Sequence, residues 1–308
     1  MLLRTLGSAA GGGFPQWNCA CHNCIGVRAG TLPAKSRSQS QLAISADGRS
    51  WYLLGASPDL RAQIEATPAL HPHHGVRQSP IAGIVLASAD LDHVLGLLFL
   101  RELQPLRVYA TPSTQRILRE DNTAFRMLNR VEPQVEWTDF LPGNSFPLSS
   151  VGGDESGLRI EAISLGEHYP AYVSPERSAA LVAGEASLGL ILTSHGKAAG
   201  YFPAVPRMDD ELLAKLDTLD LLFFDGTFWS DDELIRVQGA GQTTLQMGHT
   251  PVSSAGGSLD RLAALRKPRK IFVHINNTNP MLDESSVEHR QVHDAGWEIA
   301  EDGWQFNV

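Results

Sequence analysis

Five times along this chain an apolar run ends in an acidic residue or a histidine: "IVLASADLDH", "EAISLGEHYPAY", "LDLLFFDGTFW", "QMGHTPVS" and "KIFVHINNTNP". Short continuous apolar runs suit strands buried on both faces, which other layers must then cover. Where such a strand hands the chain to a loop, a packed scaffold displays reactive side chains. The five ends offer Asp90, Asp92, His93, His168, Asp225, His249 and His274. Any one alone is more often a cap, a turn residue or a core histidine, and Asp90 or Asp92 suits the N-terminus of a helix starting near residue 91. Their recurrence favours oxygen and imidazole donors converging in a cleft, a set that suits zinc, manganese or ferrous iron.

The coarse reading places strands at 41–45, 51–55 and 81–88, and near 158–165, 188–194, 219–225 and 271–275. "ADLDHVLGLLFLREL" has the spacing of a buried helix, and further helices are expected at 112–129 and 209–217. The glycine- and serine-rich stretch 141–157 reads as a flexible connection. Strands and helices mix without strict alternation, which predicts an α/β (α+β) layering of two sheets with helices outside, in one domain over 1–308.

A net charge of −9 without a long basic run argues against a duplex nucleic-acid partner. "RKPRK" at 266–270 reads as a solvated turn before a strand. "VLGLLFL" is too short to span a bilayer, and no secretion signal is evident, so a cytoplasmic protein is expected.

All three cysteines fall within "FPQWNCACHNC", at 19, 21 and 24. Cys19 and Cys21 are too close for an easy disulfide, and in a reducing compartment clustered thiols serve more often as metal ligands. C-x-C-x-x-C puts three thiolates on one tight loop over 14–26, suited to a tetrahedral zinc whose fourth ligand comes from elsewhere. The neighbouring "GSAAGGG" lacks the features of a P-loop or dinucleotide fingerprint and reads as a turn permitting close backbone approach.

"LDH" after an apolar strand, "EHYPAY", "FFDGTF", "GHTPVS" and "FVHINNTNP" resemble the successive motifs of the metallo-β-lactamase fold family. That resemblance implies a four-layer αββα sandwich. The family's H-x-H-x-D-H element would fall on Ser88-Ala89-Asp90-Leu91-Asp92-His93, so two histidines are replaced by Ser88 and Asp90. "AAGYFPAV" also lacks the aspartate that commonly bridges two metals in the hydrolases, which favours a single-metal site.

"GSAAGGGFPQWNCACHNC" with "HINNTNPML" resembles a narrower family within that fold, proteins of coenzyme PQQ synthesis. This resemblance implies an iron-dependent hydroxylase acting on the tyrosine ring of a cross-linked Glu-Tyr intermediate, with other PQQ-synthesis proteins as partners; a homodimer is left open. Asp92, His93 and His274 would be the firmest ligands of a catalytic Fe2+. Asp90, His168, Asp225 and His249 would be further ligands, orienting groups or acid-base groups. Cys19, Cys21 and Cys24 would hold a structural Zn2+, as in some relatives of the fold. There the fourth ligand is a histidine just after the last active-site motif, where this chain reads "INN"; His274, His293 or His22 would have to serve. The competing readings are a two-metal phosphodiesterase or hydrolase of the same fold, and a non-enzymatic carrier of PQQ or a precursor.

Overall fold

The apolar runs become strands because they combine β-branched and aromatic residues between turn-forming ones. The computed structural model describes residues 1–131 and 134–308. In chain order the strands are β1 (Leu2–Gly7), β2 (Gln41–Ser45), β3 (Trp51–Leu54), β4 (Ile81–Val85), β5 (Leu106–Ala110), β6 (Val135–Asp139) and β7 (Ser145–Ser149). They continue as β8 (Glu155–Gly166), β9 (Ser187–Ser194), β10 (Lys197–Phe202), β11 (Leu221–Asp225), β12 (Arg269–Val273), β13 (Trp297–Ile299) and β14 (Gln305–Asn307). The chain forms two compact units: Met1–Leu6, Gln41–Lys197 and Gly303–Val308 in the first, Gly7–Ser40 and Ala198–Asp302 in the second.

In the first unit one sheet runs β14-β1-β2-β3-β4-β5-β6, parallel from β3 to β6. Trp51, Leu53, Ile84, Leu86 and Val108 are buried on it, with Val94, Leu97 and Leu118 from the flanking helical segments. β7, β8 and β9 form an antiparallel meander, tied to β5 by the Tyr109 hydroxyl, which donates to the Ser149 carbonyl at 3.0 Å.

The second unit carries the parallel strands β10, β11, β12 and β13. Its core is aromatic: Phe272 stacks on Trp297 at 4.1 Å between centroids, and Phe224 meets the same indole edge-on at 6.2 Å. β11 and β12 pair with Asp225 opposite Val273, so Asp225 and His274 emerge at the carboxyl ends of adjacent parallel strands. Among the described residues no helix is long and apolar enough to cross a membrane.

Three expectations need correction. The buried helix after β4 is α-helical only over Leu91–Val94 and continues as a 3-10 helix over Leu95–Leu100. Its backbone docks on the loop after β3, where Gly96 N–H donates to the Ala56 carbonyl at 2.8 Å. A Cβ on Gly96 would lie 2.2 Å from the Ser57 carbonyl oxygen. Gly96→Ala is therefore expected to cost about 1–3 kcal/mol, read as a lower denaturation midpoint; an unchanged midpoint would show that the docking yields freely.

The 112–129 segment is broken. An α-helical Pro112–Arg116 passes into a π-turn to Asp121, extended Asn122 interrupts it, and a 3-10 helix follows over Thr123–Asn129. Asn122 Nδ2 donates to the Ile117 carbonyl at 2.7 Å, a side-chain bond that competes with the helical ladder. The 141–157 stretch is no loose connection either: Phe146 pairs with Ile160 across β7 and β8, and Gly152 and Gly153 take the positive φ of the turn between them.

Candidate metal centre

Of the expected residues of the first unit, Asp90, Asp92 and His93 follow the end of β4. Ser88, buried beyond β4, bridges to Ser187 and accepts a hydrogen bond from the Asp90 N–H at 3.3 Å. Asp90 occupies the helix N-cap, but its side chain makes no cap hydrogen bond, so the capping role does not hold for it. Asp92 is half-buried, and its Oδ2 lies 3.8 Å from Nε2 of the buried His93. Gly55, whose φ of 82° lies in the left-handed region that favours glycine, packs beside that imidazole. His168 is exposed on the loop after β8.

The second unit brings three expected residues together. Asp225 ends β11 with no exposed surface, and His249 Nδ1–H donates to its Oδ2 at 2.9 Å. His274, one residue past β12, stacks on His249 at 5.3 Å between ring centroids. Asp225, His249 and His274 place one donor atom each within 4.8 Å of one another. His274 takes φ 55°, unusual for a residue with a Cβ, a local strain held by the surrounding packing.

Thr227 organises the group, and only the "DGT" within "FFDGTF" marks it in the sequence. Its N–H and hydroxyl lie 3.1 and 2.7 Å from Asp225 Oδ1, and its Oγ1 lies 2.8 Å from the His274 carbonyl, 2.9 Å from His274 Nδ1 and 3.1 Å from His249 Nδ1. One hydroxyl carries one proton, which goes to an oxygen acceptor, so His274 Nδ1 is the donor toward it. Both imidazoles then carry Nδ1–H and keep the Nε2 lone pair for a metal, the usual way such ligands are oriented. Thr227→Val is expected to lower metal affinity by roughly 10- to 100-fold, measured by competition with a chelator; wild-type affinity in that variant would rule the orienting role out.

Burial opposes a charge on Asp225, yet His249 and the N–H of Val205, 2.9 Å from Oδ2, outweigh it and hold the carboxyl below its ordinary range. Val205 belongs to the "AAGYFPAV" stretch that lacks a bridging aspartate; it contributes a backbone donor instead. Asp225 thus orients His249 from its Nδ1 side, and two imidazoles that present Nε2 suit zinc, manganese or ferrous iron.

The loop after β12 also reaches the cysteines. Asn279 Nδ2 donates to the Gly226 carbonyl at 3.0 Å, and Asn23 Nδ2 donates to the carbonyls of Asn277 and Asn279 at 3.1 and 3.0 Å. Cys21 sits at the N-cap position of the helix His22–Ala29 without a side-chain cap bond, and its sulfur and those of Cys19 and Cys24 fall within 4.8 Å of one another. Tetrahedral zinc with bonds of about 2.3 Å needs sulfurs about 3.8 Å apart, so the loop fits the ion. Burial pushes the Cys24 thiol up to about 11, a thiol that would give up its proton on binding metal.

Glu233, buried in the helix Glu233–Gln238, accepts hydrogen bonds from Thr278 Oγ1 and Trp229 N–H, both at 2.5 Å. Burial raises its carboxyl to about 7 despite them. With an unfolded value near ~4.3, its contribution to stability is complete below that pH and is lost as pH rises through about 7. Glu233→Gln is thus expected to flatten the fall in stability between about pH 5 and 8, an effect on the order of 3 kcal/mol. Denaturant midpoints at both pH values check it, and an unchanged slope would refute it.

The fold and these ligand groups define a metallo-β-lactamase superfamily protein: residues 50–275 match the beta-lactamase superfamily domain. The chain belongs, more narrowly, to the coenzyme PQQ synthesis protein B family. It is 45% identical to the protein of that name from Gluconacetobacter diazotrophicus, covering 99% of each chain, and 41% identical to the one from Methylobacterium sp., covering 97% of each. The crystal structure of Zn(2+)-bound PqqB from Methylobacterium extorquens matches with a TM-score of 0.91 and 38% identity, over 100% of both chains. The fold class expected from the motifs is therefore correct.

Proposed function

We propose that this chain acts in PQQ biosynthesis as a cytoplasmic, ferrous-iron-dependent hydroxylase of the tyrosine ring in a cross-linked Glu-Tyr intermediate supplied by other PQQ-synthesis proteins. Membership of the PQQ synthesis family supports the pathway. The single observation that carries the chemistry is the stacked pair of His249 and His274, whose Nδ1 atoms face Asp225 and Thr227 and leave Nε2 of each ring to a metal. Asp92 and His93 are proposed as metal ligands on their motif alone.

Bound iron would supply the one-electron chemistry that dioxygen requires, with positions open to substrate. Asp225 keeps His249 in the Nδ1–H form and Thr227 does the same for His274, so neither ring needs to lose a proton when metal arrives. Each hydroxylation places one oxygen atom on the ring and releases the other as water, with two electrons from an external donor. Cys19, Cys21 and Cys24 hold a structural zinc in this proposal.

The test is oxygen consumption by iron-reconstituted apoprotein with the cross-linked Glu-Tyr amino acid, an electron donor and mass spectrometry of the product. A mass gain of one oxygen atom per turnover, absent in His93→Ala, is expected. Iron-loaded protein that neither consumes oxygen nor changes the substrate mass would overturn the proposal.

A further inference from the structure

We propose that the side-chain oxygen of Asn277 is the fourth ligand of the zinc at Cys19, Cys21 and Cys24. This rests on the reading of that loop as a zinc site.

The geometry carries it. One terminal atom of the Asn277 amide, placed as Nδ2, lies 3.1, 3.6 and 3.4 Å from the sulfurs of Cys19, Cys21 and Cys24. It thus faces all three at similar range. In a tetrahedral site with Zn–S about 2.3 Å and Zn–O about 2.0–2.2 Å, each oxygen–sulfur edge is about 3.5 Å. The amide atom stands where a fourth ligand would.

The two ends of an amide occupy nearly equivalent positions, and their surroundings decide which is oxygen. Facing thiols without metal, the NH2 end donates to sulfur. Facing zinc, only the oxygen has a lone pair to give, so a half-turn about the last side-chain bond converts the donor into the ligand. Little else must move: Asn277 is buried, and its main-chain carbonyl accepts from Asn23 Nδ2 at 3.1 Å on the cysteine helix.

The histidines that the sequence offered are placed otherwise. His22 is exposed at the start of its helix. His293 Nε2 lies 3.1 Å from His289 Nε2. His274 Nδ1 is engaged by Thr227, and its ring stacks on His249. The "INN" that replaces the relatives' histidine thus supplies its own ligand at the second asparagine.

Zinc and cobalt binding test the assignment, with chelator competition for affinity and the absorption of the cobalt-loaded full-length protein for the ligand set. Asn277→Ala is expected to weaken zinc binding by roughly 10- to 100-fold, Asn277→Asp to restore it, and Asn277→His to shift the cobalt d–d bands as nitrogen replaces oxygen. Wild-type affinity and spectrum in Asn277→Ala, while Cys24→Ser loses zinc, would overturn the Asn277 assignment and leave the zinc loop standing. Wild-type protein with no cobalt–thiolate absorption and three thiols equally reactive with or without zinc would overturn both.

Discussion

Exchanging His274 for alanine is expected to reduce iron binding and oxygen-dependent turnover by on the order of 100-fold or more. The imidazole is one of two in the ligand group of the second unit, and its Nδ1 is committed to Thr227, leaving Nε2 as the donor. Alanine has no group to replace it. The position has a second demand, because its φ of 55° suits few side chains. His274→Asn separates the two effects, since asparagine tolerates that backbone but is a poor substitute for an imidazole. Iron content, turnover and melting temperature measured together are expected to show both variants inactive and the asparagine one the more stable. Retention of iron and turnover by either variant would remove His274 from the metal centre.

The second large effect is expected at Cys24, which is fully buried. Cys24→Ser should abolish zinc binding at the loop and lower stability by several kcal/mol, because a structural site stores binding energy as folding energy. In domains of comparable size each kcal/mol lowers the melting temperature by roughly 2–4 °C, so the shift is easily measured. Ferrous iron at His249 and His274 should survive in the fraction that stays folded. Equal melting temperatures for zinc-loaded wild type and zinc-free Cys24→Ser would refute a structural role for the loop.

Much of this architecture was legible before any coordinates. The apolar runs at 41–45, 81–88 and 219–225 gave strands because consecutive β-prone residues leave a buried chain little else to become. Where the reading failed, the competing force was remote in one case and local in the others. The helix expected after β4 is cut short because Gly96 is pressed against the carbonyls of residues 56 and 57, a contact between segments far apart in sequence. The 112–129 helix failed on a single asparagine that bonds its own backbone. The strand Ser145–Ser149 within 141–157 carries only Phe146 and Leu148 as an apolar alternation, set among glycines and serines that favour a loop.

The candidate site shows the same division. The types of residue that serve chemistry, and their places at strand ends, come from the sequence alone: a carboxylate at 225, imidazoles at 249 and 274, thiols at 19, 21 and 24. Their grouping does not. Which of seven polar strand-end residues meet was decided by the in-register pairing of β11 with β12, and by Thr227 bonding Asp225 and both rings. Asn277, 253 residues from Cys24, could be joined to the cysteines only by the fold. A sequence specifies donors one at a time through local preference, whereas a metal centre is a set of distances, and distances between remote residues exist only once the chain has packed.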